Sequence, residues 1–173
     1  MHDIKALTFD TGGTILDWHT GISAALAEAG GRHGLERDWA AIANDYRASS
    51  LKAMVNTGAE APATFNIDDV HREQLAEMIK KYDLGAFSEA ERAAIWYRWH
   101  KLDCWPDFPA ALARMRENYI VASFTILTVS LIVDTAKRNG LSWDAVISCE
   151  MIGQYKILPG AYQRAAQWLA LEP

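Results

Sequence analysis

The chain has 173 residues, half of them apolar, and a formal net charge of −5. That length allows one domain, with or without an insertion, and the negative charge argues against nucleic acid or an anionic membrane surface as the main partner. No apolar stretch is long enough to span a membrane, no signal peptide is visible, and the two cysteines, Cys104 and Cys149, lack a metal-type spacing. We therefore expect a cytoplasmic protein with reduced thiols.

The first predicted element is a buried strand over residues 4–9, which ends at Asp10. Residues 11–14, TGGT, predict a tight turn, and a helix is expected from about residue 17 to 30. Ligands bind at the carboxyl ends of strands in open α/β sheets. A carboxylate there, beside the free N–H groups of a glycine-rich turn, can act as a nucleophile. Asp10 could equally be a turn or helix-capping residue.

Residues 17–99 show helical patterns and no convincing strand. After the first helix, the patterns predict helices over 38–54, 68–82 and 88–100, with a loop at 56–66. From Pro106 onwards they predict a helix at 108–117, a strand at 119–124, a helix at 129–139, a strand at 145–148 and a helix at 159–170.

Strands that alternate with helices indicate a parallel sheet with right-handed crossovers. The predicted fold class is therefore α/β, with a Rossmann-like parallel-sheet core that has helices on both faces. Residues 1–15 and 100–173 form this core, and residues 16–99 form an all-helical insertion. An insertion of that length exceeds an ordinary loop.

Three segments follow one another in a characteristic order: Asp10 to Thr14, Thr125 at the end of YIVASFT, and Lys156 in QYKILPGAY. This order resembles the haloacid dehalogenase superfamily of hydrolases, which use a strand-end Asp nucleophile, a Ser or Thr after a second strand, and a later Lys. The closer resemblance is to the 2-haloacid dehalogenases, whose first motif runs Asp-x-Tyr-Gly-Thr-Leu/Val-x-Asp and here reads DTGGTILD. The resemblance covers nearly the whole chain, is weakest over 30–95, and implies that the insertion is a cap domain over the active site.

The resemblance implies hydrolysis of a short 2-haloalkanoic acid, which is a small halogenated carboxylic acid. Asp10 would attack the alpha carbon and expel halide, and water would hydrolyse the resulting ester with net inversion. Thr14 would orient the Asp10 carboxylate and Lys156 would pair with it, so these three are the expected catalytic residues. The expected substrate-binding residues are Thr11, Arg47, Thr125, Ile126 and Tyr162. The resemblance implies that no metal and no cofactor is needed, and no histidine has a metal-ligand spacing such as His-x-x-x-His.

Several of these side chains also have an ordinary structural interpretation. Thr14 could simply begin a helix, and Thr125 could be a buried strand end. Arg47 could be a solvated residue on a helix face, and Tyr162 could be an aromatic residue of a helix surface.

Departures from the family pattern leave other functions open. Gly12 stands where superfamily phosphatases have a second Asp that acts as general acid and base beside Mg²⁺, so it disfavours a Mg²⁺-dependent phosphatase. Dehalogenases usually have Tyr at this position, so Gly12 also leaves a gap in the pocket wall, and Ile126 replaces an Asn that contacts the halide. Relatives continue past Pro173 into another strand with an acidic motif, so a truncated, inactive family member is the third hypothesis. The resemblance also allows a homodimer, which this branch commonly forms.

Overall fold

The computed structural model describes residues 4–55 and 66–172. Within them, the strands are β1, Ala6–Phe9; β2, Ile120–Thr125; and β3, Ala145–Ser148. The helices are α1, Trp18–Arg32; α2, Trp39–Val55; α3, Ile67–Lys81; α4, Glu89–Tyr97; α5, Phe108–Arg116; α6, Val129–Asn139; α7, Cys149–Ile152; and α8, Pro159–Trp168. A 3-10 helix, Arg98–Lys101, follows α4. The loop predicted at 56–66 lies outside the described residues except for Asn66.

The strands form one parallel sheet in the order β1-β2-β3. Phe9 pairs with Ser123 and Thr125 pairs with Ser148, so the carboxyl ends of the strands lie along one edge. Asp10 follows β1 directly at that edge. The predicted α/β class and parallel sheet are confirmed, and the candidate nucleophile lies where such sheets bind ligands.

Helices pack on both faces of the sheet because successive residues of a strand point to opposite sides. Val121 of β2 lies in the larger hydrophobic cluster, together with Leu112 of α5 and Leu131 of α6. Phe124 of the same strand lies in a second cluster with Ala165 of α8. The sheet is therefore a middle layer with buried apolar side chains on each side, as predicted.

Helices α1 to α4 pack against one another and complete the larger cluster. Helix α2 packs between α1 and α3, while the 3-10 helix contacts α1, α4 and α6. Trp99 of that 3-10 helix is fully buried. The predicted division into a core of residues 1–15 and 100–173 and a cap of residues 16–99 stays a prediction.

The structure differs from the predicted elements at two places, although α4 begins at its predicted position with a capping box formed by Ser88 and Glu91. The helix expected to reach His100 ends at Tyr97, where the chain tightens into the 3-10 helix, as helices often do at their last turn. The loop expected before Lys156 contains α7. The Ser148 hydroxyl caps this single turn by accepting the N–H of Glu150.

A bridge of polar side chains joins α3 to α6 across the 3-10 helix. His100 Nε2 lies 3.2 Å from Asp68 Oδ2, and His100 Nδ1 lies 2.8 Å from Asp134 Oδ2. Thr128, which caps α6, donates to the same Asp68 oxygen at 3.2 Å. Although burial favours the neutral ring, these two carboxylates raise the pKa of His100. The His100 ring therefore ties the helical region to the helix that follows β2.

Candidate active site

The Asp10 carboxylate is held on both of its oxygens by side chains from distant parts of the chain. Thr14 Oγ1 donates to Asp10 Oδ2 at 2.8 Å, and Lys156 Nζ donates to Asp10 Oδ1. The same Nζ donates to the backbone carbonyl of Phe124 at 3.0 Å, which anchors the ammonium to the end of β2. The Asp10 side chain remains 41% exposed. The three predicted catalytic residues are therefore in contact, and the carboxylate is open to a small molecule.

The turn that follows Asp10 is closed by backbone hydrogen bonds. The N–H groups of Ile15 and Leu16 both donate to the carbonyl of Thr11, at 3.0 and 2.9 Å. Gly13 adopts a φ of 100°, a conformation that L side chains rarely reach, so this position requires glycine. The predicted tight turn is confirmed, and its geometry fixes the direction in which Asp10 leaves β1.

Thr11 and Thr125 meet between the ends of β1 and β2. Their hydroxyl oxygens lie 2.7 Å apart, and both residues are buried. The Thr125 hydroxyl also accepts a hydrogen bond from the N–H of Leu127 at 3.1 Å. Ile126 is 8% exposed and belongs to the hydrophobic core. The expected contact of these three residues, Thr11, Thr125 and Ile126, with substrate stays a prediction, and the described contacts give them a structural role.

Arg47 of α2 enters the same region from the helical side. Its guanidinium carbon lies 5.9 Å from the centre of the Trp18 ring and 5.4 Å from that of Trp99, and the two indoles stack at 6.2 Å. Burial lowers the pKa of Arg47, and the charge of the Asp10 carboxylate opposes that shift. The gap expected at Gly12 is filled, since Arg47 Nη2 would lie 3.2 Å from a Cβ built there.

Tyr162 is not in direct contact with Asp10 among the described interactions. Its side chain is half-exposed, and its ring meets Phe124 edge-to-face with the centroids 5.0 Å apart. Lys156 Nζ lies 5.7 Å from the same Phe124 ring. Tyr162 and Lys156 therefore both lie beside the Phe124 ring, and the expected role of Tyr162 in substrate binding stays a prediction.

One buried titratable group near the site was missed by sequence reasoning. His71 of α3 is fully buried, and burial together with the charge of Arg47 lowers the pKa of His71 to about 3. The only signal in the sequence is its place on the apolar face of α3, four residues before Leu75. That spacing does not distinguish a histidine from an ordinary core residue.

Other kinds of site find little support in the part of the chain that the structure describes. Within it, no group of three or more His, Cys, Asp or Glu side chains could hold a metal ion. No helix in the same ranges is long and apolar enough to cross a membrane.

A surface cavity of about 590 Å³ lies at the amino ends of the strands, between Lys5, Arg116 and Asp144, and shares no residue with the Asp10 site.

Comparison with known proteins decides the family. No protein-family model matches the chain, and no curated protein matches it significantly. The solved structure of the defluorinating L-2-haloacid dehalogenase Rha0230 matches with a TM-score of 0.87 and 34% identity, over 99% of this chain and 71% of that one. The chain belongs to the L-2-haloacid dehalogenase family.

Two further structures show the same relationship. The structure of the L-2-haloacid dehalogenase PA0810 matches this chain with a TM-score of 0.85 and 27% identity. The match covers 98% of this chain and 72% of that one. The structure of the L-2-haloacid dehalogenase from Xanthobacter autotrophicus with chloropropionic acid covalently bound matches with a TM-score of 0.79 and 22% identity. The match covers 99% of this chain and 67% of that one. At that identity the third match shows the fold alone. The similarity to dehalogenase structures therefore covers 98–99% of this chain, including the described part of the region 30–95, where the sequence resemblance is weakest.

Proposed function

We propose that the chain is a hydrolytic 2-haloacid dehalogenase that uses Asp10 as nucleophile and needs no metal ion. One observation carries the proposal: the Asp10 carboxylate, at the carboxyl edge of a parallel sheet, is held on both oxygens by Thr14 and Lys156. A carboxylate that is fixed in direction and open to solvent is positioned to attack a bound substrate.

The first step forms an ester. One Asp10 oxygen bonds to C2 of the acid, the carbon–halogen bond breaks, and halide leaves with the bonding electron pair. Thr14 fixes the direction of the carboxylate. The Lys156 ammonium offsets the negative charge that spreads over the nucleophile and the departing halide in the transition state.

The second step is hydrolysis of that ester. Water adds to the carbonyl carbon of the Asp10 ester, and the bond from this carbon to the ester oxygen attached to C2 breaks, so that this former Asp10 oxygen leaves with the product and the water oxygen takes its place. One water proton goes to the new hydroxyl of the 2-hydroxy acid, the other goes to solvent, and the Asp10 carboxylate is restored. Because the first attack came from the side opposite the halide, C2 is inverted. The anchor of Lys156 on the Phe124 carbonyl keeps the ammonium beside Asp10 in both steps.

The substrate class follows from the charges around the nucleophile. Lys156 contacts Asp10 and Arg47 lies within its electrostatic reach, so the region favours an anionic molecule such as a short carboxylic acid. Two relatives support this class, since one is described as defluorinating and another carries covalently bound chloropropionic acid. The cytoplasmic location and the homodimer stay predictions.

The leaving group separates this proposal from a phosphatase. An alkoxide released from a phosphate ester needs a proton, and position 12, where a second carboxylate would supply it, is glycine. Halide leaves without a proton. The described residues also offer Mg²⁺ no cluster of acidic ligands. The dehalogenase reaction therefore fits these side chains better than phosphoryl transfer does.

The test measures chloride release from 2-chloropropionate and phosphate release from p-nitrophenyl phosphate side by side, with and without EDTA. We expect chloride release that EDTA does not change, and its loss in Asp10→Asn. Asp17→Asn is the matched control, because Asp17 only caps α1 and Asn caps equally well. Three outcomes would contradict the proposal: full chloride release by Asp10→Asn, phosphate release that EDTA abolishes, and no release of either product by folded protein. The third outcome would favour a catalytically inactive chain.

A further inference from the structure

The chain enters and leaves the helical region of α1 to α4 through two short segments, 15–17 and 103–105, that run side by side. The N–H of Trp105 donates to the carbonyl of Ile15 at 2.9 Å, and a second backbone hydrogen bond of 2.9 Å joins the other ends of the two segments. The two segments therefore form one short antiparallel ribbon. This pairing holds Trp105 beside the turn that follows Asp10.

The side chain of Trp105 reaches from this ribbon into the turn. Its Nε1 donates to the carbonyl of Gly13 at 3.3 Å, although the ring is half-exposed. The N–H of Gly13 donates to the carbonyl of Leu16 at 3.0 Å, within the turn itself. Among the described residues no backbone N–H donates to the Gly13 carbonyl, so this group depends on the indole for its partner within the described chain.

The Gly13 carbonyl is connected to the nucleophile through one peptide plane. It shares a planar peptide unit with the N–H of Thr14, so a bond that fixes the carbonyl also fixes the start of Thr14. The Thr14 hydroxyl in turn donates to Asp10 Oδ2 at 2.8 Å. Gly13 has a φ of 100° and no side chain, and glycine has the widest choice of backbone conformations. A donor from outside the turn therefore restricts the backbone most at this residue.

We propose that Trp105 is a positioning residue for the nucleophile: its indole N–H fixes the Gly13 peptide and thereby the direction in which Thr14 holds the Asp10 carboxylate. Trp105 acts through the turn and not on the substrate. Because it belongs to the segment that leaves the helical region, the orientation of Asp10 depends on the pairing of the two connecting segments. The effect on catalysis rests on the proposed function, whereas the effect on the turn does not.

The experiment removes the indole N–H while keeping the ring. The first variant carries benzothienylalanine at position 105, which has the shape of tryptophan with sulfur in place of the N–H. The second is Trp105→Phe. Trp168→Phe is the matched control, because Trp168 at the end of α8 is similarly exposed and its N–H has no partner among the described residues. Each protein is measured for amide hydrogen exchange, for chloride release from 2-chloropropionate and for thermal unfolding.

The amides of Ile15 and Leu16 report on the turn, because both donate to the Thr11 carbonyl. We expect them to exchange about 2- to 10-fold faster in both Trp105 variants, the change that loss of one neutral hydrogen bond allows. The kcat for chloride release should fall by about the same factor with KM unchanged, because a misdirected nucleophile weakens the transition state and not substrate binding. Trp168→Phe should change neither, and every variant should unfold within about 4 °C of the wild type.

Three outcomes overturn the inference. The first is unchanged exchange at Ile15 and Leu16 in the benzothienylalanine protein. The second is a loss of activity that appears only as a raised KM, and the third is an effect of Trp105→Phe that benzothienylalanine does not reproduce, since ring packing would then be responsible. Chloride release with any of these results leaves the proposed function standing. The expected exchange pattern without chloride release by any of the proteins, the wild type included, refutes the proposed function and leaves the role of Trp105 in the turn standing.

Discussion

The imidazole of His71 lies flat against the indole of Trp99, with the ring centroids 4.2 Å apart and the planes 4° from parallel. The Tyr46 hydroxyl donates to the backbone carbonyl of His71 at 2.7 Å, and His71 is fully buried. Neither ring nitrogen of His71 has a hydrogen-bond partner in the described part of the chain. The ring therefore contributes packing, and its two polar atoms oppose its burial.

Replacement of His71 by Phe should remove a pH dependence of stability. The pKa of His71 is lowered to about 3 in the folded chain from 6.5, so below pH 6.5 the unfolded state binds a proton that the native state does not. Acidification from pH 7.5 to 5.0 should cost the wild type about 2 kcal/mol through this residue. Urea unfolding of both proteins at the two pH values measures the difference. The influence of His100, whose raised pKa acts in the opposite direction, cancels in this comparison; equal pH slopes would contradict the prediction.

Replacement of Lys156 by Met should slow the reaction while leaving the fold intact. Met keeps most of the volume but removes the charge beside Asp10, which we expect to lower kcat about 10²- to 10³-fold, the loss typical of one electrostatic contact to a transition state. Chloride release and the mass of the Asp10 ester in a single turnover measure the effect. Lys137→Met, at an exposed position of α6, is the control. A Lys156→Met rate close to that of the control would show that the ammonium is not needed.

Replacement of Thr125 by Val should destabilise the junction of β1 and β2. Val keeps the shape of Thr, but the Thr11 hydroxyl and the N–H of Leu127 lose a buried partner. We expect a loss of about 1–3 kcal/mol in the free energy of unfolding, measured in urea. Thr125→Ser, which keeps the hydroxyl, should lose less. In the double variant with Thr11→Val the losses should be less than additive, because the two hydroxyls share one hydrogen bond; full additivity would contradict the pairing.

Replacement of Gly13 by Ala should reduce both stability and activity. Gly13 has a φ of 100°, and a Cβ there would lie 3.2 Å from Trp18 Nε1. Gly140→Ala is the matched control: Gly140 also has a positive φ, but nothing lies within 4 Å of a Cβ built on it. We expect about 1–2 kcal/mol for Gly140→Ala from backbone strain alone, and a larger loss for Gly13→Ala. Only Gly13→Ala should lower chloride release, because only that turn positions Asp10.

The parts of the molecule that could be predicted from the sequence are those with local causes. The strand before Asp10 follows from a short apolar run, and the helix that begins at Trp39 follows Asp38, whose side chain accepts the N–H of Ala41. The end of α6 likewise follows from the glycine at position 140, which comes after a helical pattern and adopts the left-handed conformation that ends many helices. Such signals lie within a few residues of the feature that they specify.

The parts that could not be predicted depend on contacts between distant segments. The space beside Gly12, which has no side chain, is filled by Arg47 of α2. No local sequence pattern shows where α2 places that side chain. The bridge at His100 joins Asp68 and Asp134, which lie 32 and 34 residues away on different helices. A histidine with unpartnered nitrogens, such as His71, is also indistinguishable in sequence from one that binds a ligand.

The pairing of Asp10 with Lys156 also sets an order of events during synthesis, because 146 residues separate the two. At a translation rate of about 5–20 residues per second, Asp10 leaves the ribosome's catalytic centre roughly 7–30 s before Lys156 is added. Strands β1 and β2 likewise cannot pair until more than a hundred further residues exist. A nascent chain therefore carries Asp10 without its lysine partner until residue 156 has been added.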